Sequence, residues 1–201
     1  MTTQIAKPHE PILISIPRGI TTGFKESIFP WHQLGASTQT KGDAGVSVVL
    51  ACMKAADTEC KKVNGQGDIL LSPAPNTAEV KYIRETIAEH RYGLSINWRA
   101  NGIRPNETQW QYIYFVVEQG DHANNSWLVL EFDRDSMIDI LDHGVISMYG
   151  QPGADEGSTN VMEIRADENS RRREITEYLK PRTNNIIEVP QSLLRITYIE
   201  Q

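Results

Sequence analysis

Between Gly67 and Arg84 the chain reads GDILLSPAPNTAEVKYIR, and three of its side chains have the types and spacing for phosphate chemistry. Asp68 opens a short apolar run of Ile69, Leu70 and Leu71, a segment rich in proline and asparagine follows, and Glu79-Val80-Lys81 begins eleven residues after the aspartate. If the two halves are strands of one hairpin, Asp68 and Glu79 meet at one end of it. Glu79 and Lys81 then share a face, because strand side chains alternate with period two at a rise of about 3.3 Å per residue. Two carboxylates can hold a divalent cation, which polarises a phosphate and lowers the pKa of a bound water. An ammonium beside them can stabilise the attacking hydroxide or the charge that develops at phosphorus.

The same segment has a second reading. Asn76-Thr77-Ala78-Glu79 can be a helix N-cap with a glutamate three residues on, and Val80, Ile83, Ile87 and Ala88 then fall on one helical face. Glu79 becomes a capping residue and Lys81 a solvated charge. Short apolar runs do not decide between strand and helix, so both readings stand at this stage.

On the strand reading, Asp68, ten intervening residues and Glu79-x-Lys81 resemble the signature of the PD-(D/E)xK nucleases, which include many type II restriction endonucleases. The motif is short, and Gly67 stands where a proline often precedes the first aspartate. The resemblance implies a metal-dependent endonuclease that hydrolyses phosphodiester bonds of double-stranded DNA in the sequence-specific manner of a restriction enzyme. Asp68 and Glu79 would bind Mg²⁺, or Mn²⁺ in its place, together with the Val80 carbonyl, and Lys81 would orient or stabilise the nucleophilic water. A helix before the first catalytic strand often packs on the sheet in this family and sometimes adds a glutamate to the metal site, for which Glu59 is the candidate. Its alternative role is a solvated charge on the polar helix face. The implied fold is α+β or α/β, a single mixed central sheet flanked by helices in a restriction-endonuclease-like core. A palindromic duplex target further implies a homodimer, because a two-fold assembly places one site on each strand.

Several elements could position these residues. From Asp43, as N-cap, Val46, Val49, Leu50, Met53, Ala56, Cys60 and Val63 recur with helical spacing, and Asn64-Gly65 stop the run. On that helix Cys52 and Cys60 lie about 12 Å apart, too far for a disulfide, and read as small buried apolar residues. After Lys81, ETIAEHRYG is helical by composition. Arg84, Arg91, Arg99 and Arg104 follow within 21 residues, interleaved with Tyr82, Tyr92, Trp98, Asn97 and Asn101. Arginine and asparagine read guanine and adenine edges, and arginine also binds phosphate, so Arg84, Arg91, Asn97, Arg99, Asn101 and Arg104 are the DNA-contact candidates. Their alternative is a surface helix followed by a strand, LSINWRA, with Asn97 and Arg99 facing solvent.

Gln111–Glu118 and Trp127–Phe132 read as two strands of one sheet, joined through the turn signal GDHANNS. Asp133 precedes a short helix over RDSMIDILDHG. Ile12–Ile16, Val145–Tyr149, Val161–Arg165 and the tail IIEVP…LLRITYI supply further short strands, of which Val161–Arg165 is expected to pair back on the sheet, with residues 1–10 expected as a loose arm on a single domain. The arginines 171–173 cannot share one helical face and read as a solvated run. Pro30-Trp31-His32 reads as a packed loop.

Composition limits the function classes. The 201 residues suffice for one domain with its own core. A net charge of −6 argues against binding nucleic acid by charge alone, yet is compatible with a nuclease whose cleft is locally basic or carries metal. His9, His32, His90, His122 and His143 show no HExxH or paired zinc spacing, and there is no GxGxxG, GxxxxGK[ST] or GxSxG motif. Two cysteines without ligand spacing suit a reducing cytoplasm, and no stretch has the apolar length for a membrane span or a signal peptide. Two other classes fit the same text. One is a non-catalytic nucleic-acid- or protein-binding module, winged-helix-like, with Thr77–His90 a helix and Leu94–Phe115 a wing-like β pair. The other is a phage-type structural or inhibitory protein in which the acidic balance is the working feature.

Overall fold

The structure, a computed structural model, describes residues 4–17, 38–63, 67–74, 76–83, 94–97, 110–119, 126–137, 146–149, 161–164 and 179–199. In chain order these form β1 (Ile12–Pro17), α1 (Thr38–Ala55), β2 (Cys60–Lys62), β3 (Ile69–Leu71), β4 (Thr77–Ile83) and β5 (Leu94–Asn97). Then come β6 (Trp110–Gln119), β7 (Ser126–Asp133), β8 (Ile146–Tyr149), β9 (Val161–Ile164), β10 (Asn185–Pro190) and β11 (Leu194–Ile199).

Aromatic and β-branched residues make β6 and β7 strands of one sheet, as the sequence predicts, and the two pair antiparallel from Tyr112–Asp133 to Gln119–Ser126. Six strands run in the order β10-β7-β6-β4-β3-β2, giving an α+β fold with a mixed sheet. Among the described residues of this sheet only β4 and β6 are parallel neighbours; its other pairs are antiparallel. A parallel pair needs a crossover, which residues 84–109 provide. Opposite Thr77 and Ala78 the β6 strand carries one extra residue, Gln111, as a bulge.

Strand alternation divides the sheet into two faces. Ala78, Val80, Tyr82, Tyr114, Val116 and Val129 lie on one, under α1. The helix comes down on β4 at Gly45, where a Cβ would stand 3.1 Å from Tyr82 Cδ2 and 3.5 Å from Val80 Cγ1. Val48, Val49, Cys52 and Met53 of α1 are buried in this core together with Ile12 and Ile14 of β1, which pairs parallel with β11. The other face carries Ile113, Phe115, Leu130 and Phe132, all fully buried, with Phe115 and Phe132 edge to face at 5.5 Å.

Four expectations are corrected. The helix begins at Thr38 and not at Asp43, whose carboxylate instead accepts Lys62 Nζ at 2.6 Å. It ends long before Asn64, because Asp57 adopts φ +55° and closes a Schellman motif, Thr58 N–H to Met53 carbonyl at 2.9 Å and Asp57 N–H to Lys54 carbonyl at 3.1 Å. Cys60-Lys61-Lys62 is consequently a strand, so the cysteines do not share a helix; Cys52 is buried in α1 and Cys60 half-buried in β2. Val161–Ile164 pairs not with the main sheet but with β5 and β8 in a three-stranded one.

The helix reading of Thr77–His90 fails as well, since Thr77–Ile83 is a strand paired on both edges. With it goes the winged-helix arrangement, because β5 pairs with β9 and not with β6. The opening segment, expected as an arm, lies against the core from Gln4 onward. Ile5 is buried, Ala6 N–H donates to the Cys52 carbonyl at 2.9 Å, and Gln4 N–H donates to Glu131 Oε2 at 3.1 Å. Pro30-Trp31-His32, arginines 171–173 and ETIAEHRYG lie outside the described residues.

Candidate active site

Antiparallel pairing sets Ile69 opposite Ala78 and Leu70 opposite Thr77, so Asp68, one residue before β3, arrives beside Glu79 and Val80. The regular ladder stops there. Gly67 has φ +77°, a left-handed conformation that suits glycine, and the Asp68 N–H donates to the Ala78 carbonyl at 2.9 Å. The Asp68 side chain then does what the strand no longer does: its Oδ2 accepts the Val80 N–H at 2.8 Å. The N–H and C=O of one strand residue leave by the same edge, so the Val80 carbonyl is also directed toward the Asp68 side of β4.

Thr77, Glu79 and Lys81 share the face of β4 turned away from α1. Lys81 Nζ donates to Glu79 Oε1 in an ion pair whose side chains are 21 % and 19 % exposed. Their neighbours on β6 are Ile113 and Phe115, both buried, so this pair sits at the margin of an apolar layer. Burial pushes the Glu79 carboxyl above its ordinary 4.5; the Lys81 ammonium opposes the shift and the charge of Asp68 adds to it. The two carboxylates are close enough to repel, and the lysine compensates in part.

The donor set suits a hard divalent cation. It is all oxygen: the Asp68 carboxylate, the Glu79 carboxylate and the Val80 carbonyl. One oxygen of each carboxylate is engaged, by Val80 N–H and by Lys81, and each has a second. On the same face the Thr77 hydroxyl oxygen is buried without a hydrogen-bond partner. Among the described residues no group of three or more His, Cys, Asp or Glu gathers, so the set remains two carboxylates, the number through which Mg²⁺ is commonly held alongside water.

Glu59, the candidate third carboxylate, does not join them. It lies past the end of α1, exposed, and its carbonyl accepts the Ser72 N–H at 2.9 Å, at the opposite end of β3 from Asp68. The helix that was to carry it stops at the Asp57 cap. Of the DNA-contact candidates, Arg84, Arg91, Arg99, Asn101 and Arg104 lie outside the described residues, and Asn97 closes β5 in the three-stranded sheet.

Two contributors were not singled out by sequence. Gly67 was noted only as the residue in the place of a proline, and Thr77 only as part of a strand or cap. Their signal is visible in retrospect as a glycine directly before the aspartate and a hydroxyl two residues before the glutamate. A further carboxylate, Glu131, interrupts the apolar run of β7 and is 2 % exposed. It belongs to the α1 face, where its Oε2 also accepts the Tyr114 hydroxyl at 3.3 Å, and fastens the opening segment rather than the site.

No helix among the described residues is long and apolar enough to cross a membrane. No protein-family model, curated protein or solved structure matches the chain.

Proposed function

We propose that the chain is a metal-dependent endonuclease acting on double-stranded DNA, built on a restriction-endonuclease-like core. The observation that carries this reading is the meeting of Asp68 with Glu79-Val80-Lys81 at one end of an antiparallel hairpin, fastened by the Val80 N–H on the Asp68 carboxylate. Two features of the sheet support it. The preceding helix packs on the strand that bears Glu79 and Lys81, and that strand has a parallel neighbour reached by a crossover.

Asp68, Glu79 and the Val80 carbonyl would hold Mg²⁺ or Mn²⁺, which when bound polarises the phosphate and lowers the pKa of water. The protein's own groups do the rest. Lys81, beside Glu79 in a half-buried place, orients the water and offers positive charge where negative charge develops, an effect strengthened by the apolar neighbours. The water oxygen bonds to phosphorus, one P–O ester bond breaks, and the products are a phosphate monoester and a hydroxyl end. The duplex is contacted from Arg84, Arg91, Asn97, Arg99, Asn101 and Arg104, and two copies of the chain act on the two strands.

The test is cleavage of long duplex DNA in Mg²⁺ by the wild type and by Lys81→Ala, side by side. Discrete fragments from the wild type and none from the variant are expected. Retained DNA binding without cleavage in Mg²⁺ or Mn²⁺ would replace the reading with a binding module, and absence of both would leave a structural or inhibitory role.

A further inference from the structure

Thr77 opens β4 in line with Glu79 and Lys81, two residues or about 7 Å from Glu79 along the strand. The residue is 8 % exposed, and its hydroxyl is the one buried side-chain polar atom without a hydrogen-bond partner among the described residues. A hydroxyl offers one donor and two acceptor positions. Buried groups of this kind are almost always satisfied in native proteins, and an exception points to an ordered water, an ion or a catalytic role.

The surroundings of this hydroxyl are shaped by Gly67. A Cβ at that position would stand 3.3 Å from Thr77 Oγ1, 3.0 Å from Thr77 Cβ and 3.1 Å from the Ala78 carbonyl oxygen. Glycine therefore lets the chain cross close over Thr77 while keeping a side chain off its hydroxyl, and the next residue is Asp68. The unsatisfied hydroxyl thus lies against the segment that delivers one carboxylate and on the strand face that carries the other.

We propose that the Thr77 hydroxyl is a positioning residue of the candidate site, holding a water that also belongs to the divalent cation carried by Asp68 and Glu79. The inference rests on the reading of those two carboxylates as cation ligands. Thr77 acts through the water and does not touch the phosphate. The competing role, a β-branched residue that fills the end of a strand, is fulfilled equally well by valine, which has the same shape.

Mn²⁺ binding and melting temperature separate the two roles. Mn²⁺ is titrated calorimetrically into the wild type, Thr77→Val, Thr77→Ser and Glu79→Gln, and the melting temperature of each metal-free protein is recorded. The expected result is a loss of Mn²⁺ affinity of about tenfold or more in Thr77→Val, in the range found for outer-shell partners of metal sites. Thr77→Ser should bind as the wild type does, and metal-free Thr77→Val should melt at or above the wild-type temperature. Should Thr77→Val fail to fold, Thr77→Ala carries the same comparison. Wild-type affinity in Thr77→Val with binding lost in Glu79→Gln would overturn the inference and leave the carboxylate site standing. No Mn²⁺ binding by the wild type would overturn both.

Discussion

Replacing Asp68 by alanine removes the acceptor on which the Val80 N–H depends, a bond of 2.8 Å from a backbone donor to a charged oxygen. Hydrogen bonds to charged groups contribute roughly 1.5–3 kcal/mol net, and leaving a buried donor unpaired costs a similar amount. Val80 is 7 % exposed, so little water can replace the lost oxygen, while Asp68 is itself half-buried and its removal opens some access. The expected loss is about 2 kcal/mol. In a chain of 201 residues that corresponds to melting about 4–8 °C lower. Asp68→Asn keeps an amide oxygen for Val80 but no charge, and a neutral bond is about half as strong, so its loss should be near 1 kcal/mol. Relief of repulsion against Glu79 offsets part of even that. On the proposed reading Mg²⁺ should raise the melting temperature of the wild type, since a ligand bound only by the folded chain stabilises it, and both variants should lose that rise. Calorimetric melting of the three proteins with and without Mg²⁺ measures all of this. Asp68→Asn melting as low as Asp68→Ala, or Asp68→Ala melting with the wild type, would refute the role given to the Val80 bond. An Mg²⁺-dependent rise surviving in Asp68→Asn would remove Asp68 from the proposed cation site.

The Glu79 carboxyl is raised above 4.5, by burial first, so the folded chain holds that proton more tightly than the unfolded one. This contribution to metal-free stability is complete below pH 4.5 and is lost as the pH climbs through the raised folded value. Denaturant melts across this window should show a slope that Glu79→Gln lacks, and parallel profiles for the two proteins would count against the burial described for Glu79. Gly67→Ala forces a Cβ to within 3.0 Å of Thr77 Cβ at φ +77° and should destabilise by more than about 1 kcal/mol, or about 2–4 °C. An unchanged melting temperature would show that the chain does not cross Thr77 so closely.

The pair β6 and β7 was legible because its residues are aromatic and β-branched at strand spacing, whereas the hairpin of β3 and β4 was only one of two open readings. What could not be read was whether Thr77 starts a strand or a helix, since Val80, Ile83 and Ile87 satisfy a helical period as well as Val80 and Tyr82 satisfy a strand one. Pairing decides it: Ala78 meets Ile69 on one side and Tyr112 on the other, contacts that lie at distant sequence positions. The end of α1 was misplaced for a different reason. Asp57 carries the left-handed turn usually given to glycine, so the apolar period running on through Cys60 and Val63 concealed the stop. Glu59 was assigned to a helix for that reason alone. The site itself was half visible: the charged residues announce themselves by type, whereas Gly67 and Thr77 matter through close approach and burial, which no residue type reveals.

The spacing Glu79-x-Lys81 has a meaning only on a strand. On a helix, residues two apart point to opposite sides, whereas on β4 they stand side by side, and the ion pair between them follows. That pair explains how two carboxylates tolerate each other in a partly apolar place. Burial and the charge of Asp68 both favour a protonated Glu79, and the Lys81 ammonium opposes them. Lys81 therefore has a role in the protein by itself, keeping the Glu79 carboxyl closer to its ionised state than its surroundings would allow. It follows that Lys81→Met should move the Glu79 titration further upward. A variant silent in cleavage would then have lost both the charge near phosphorus and part of the ionised carboxylate. The two losses separate by pH. Raising the pH restores the carboxylate but not the ammonium, so whatever activity the variant recovers at high pH measures the role of Lys81 in keeping Glu79 ionised, and the deficit that persists measures the charge it would supply near phosphorus.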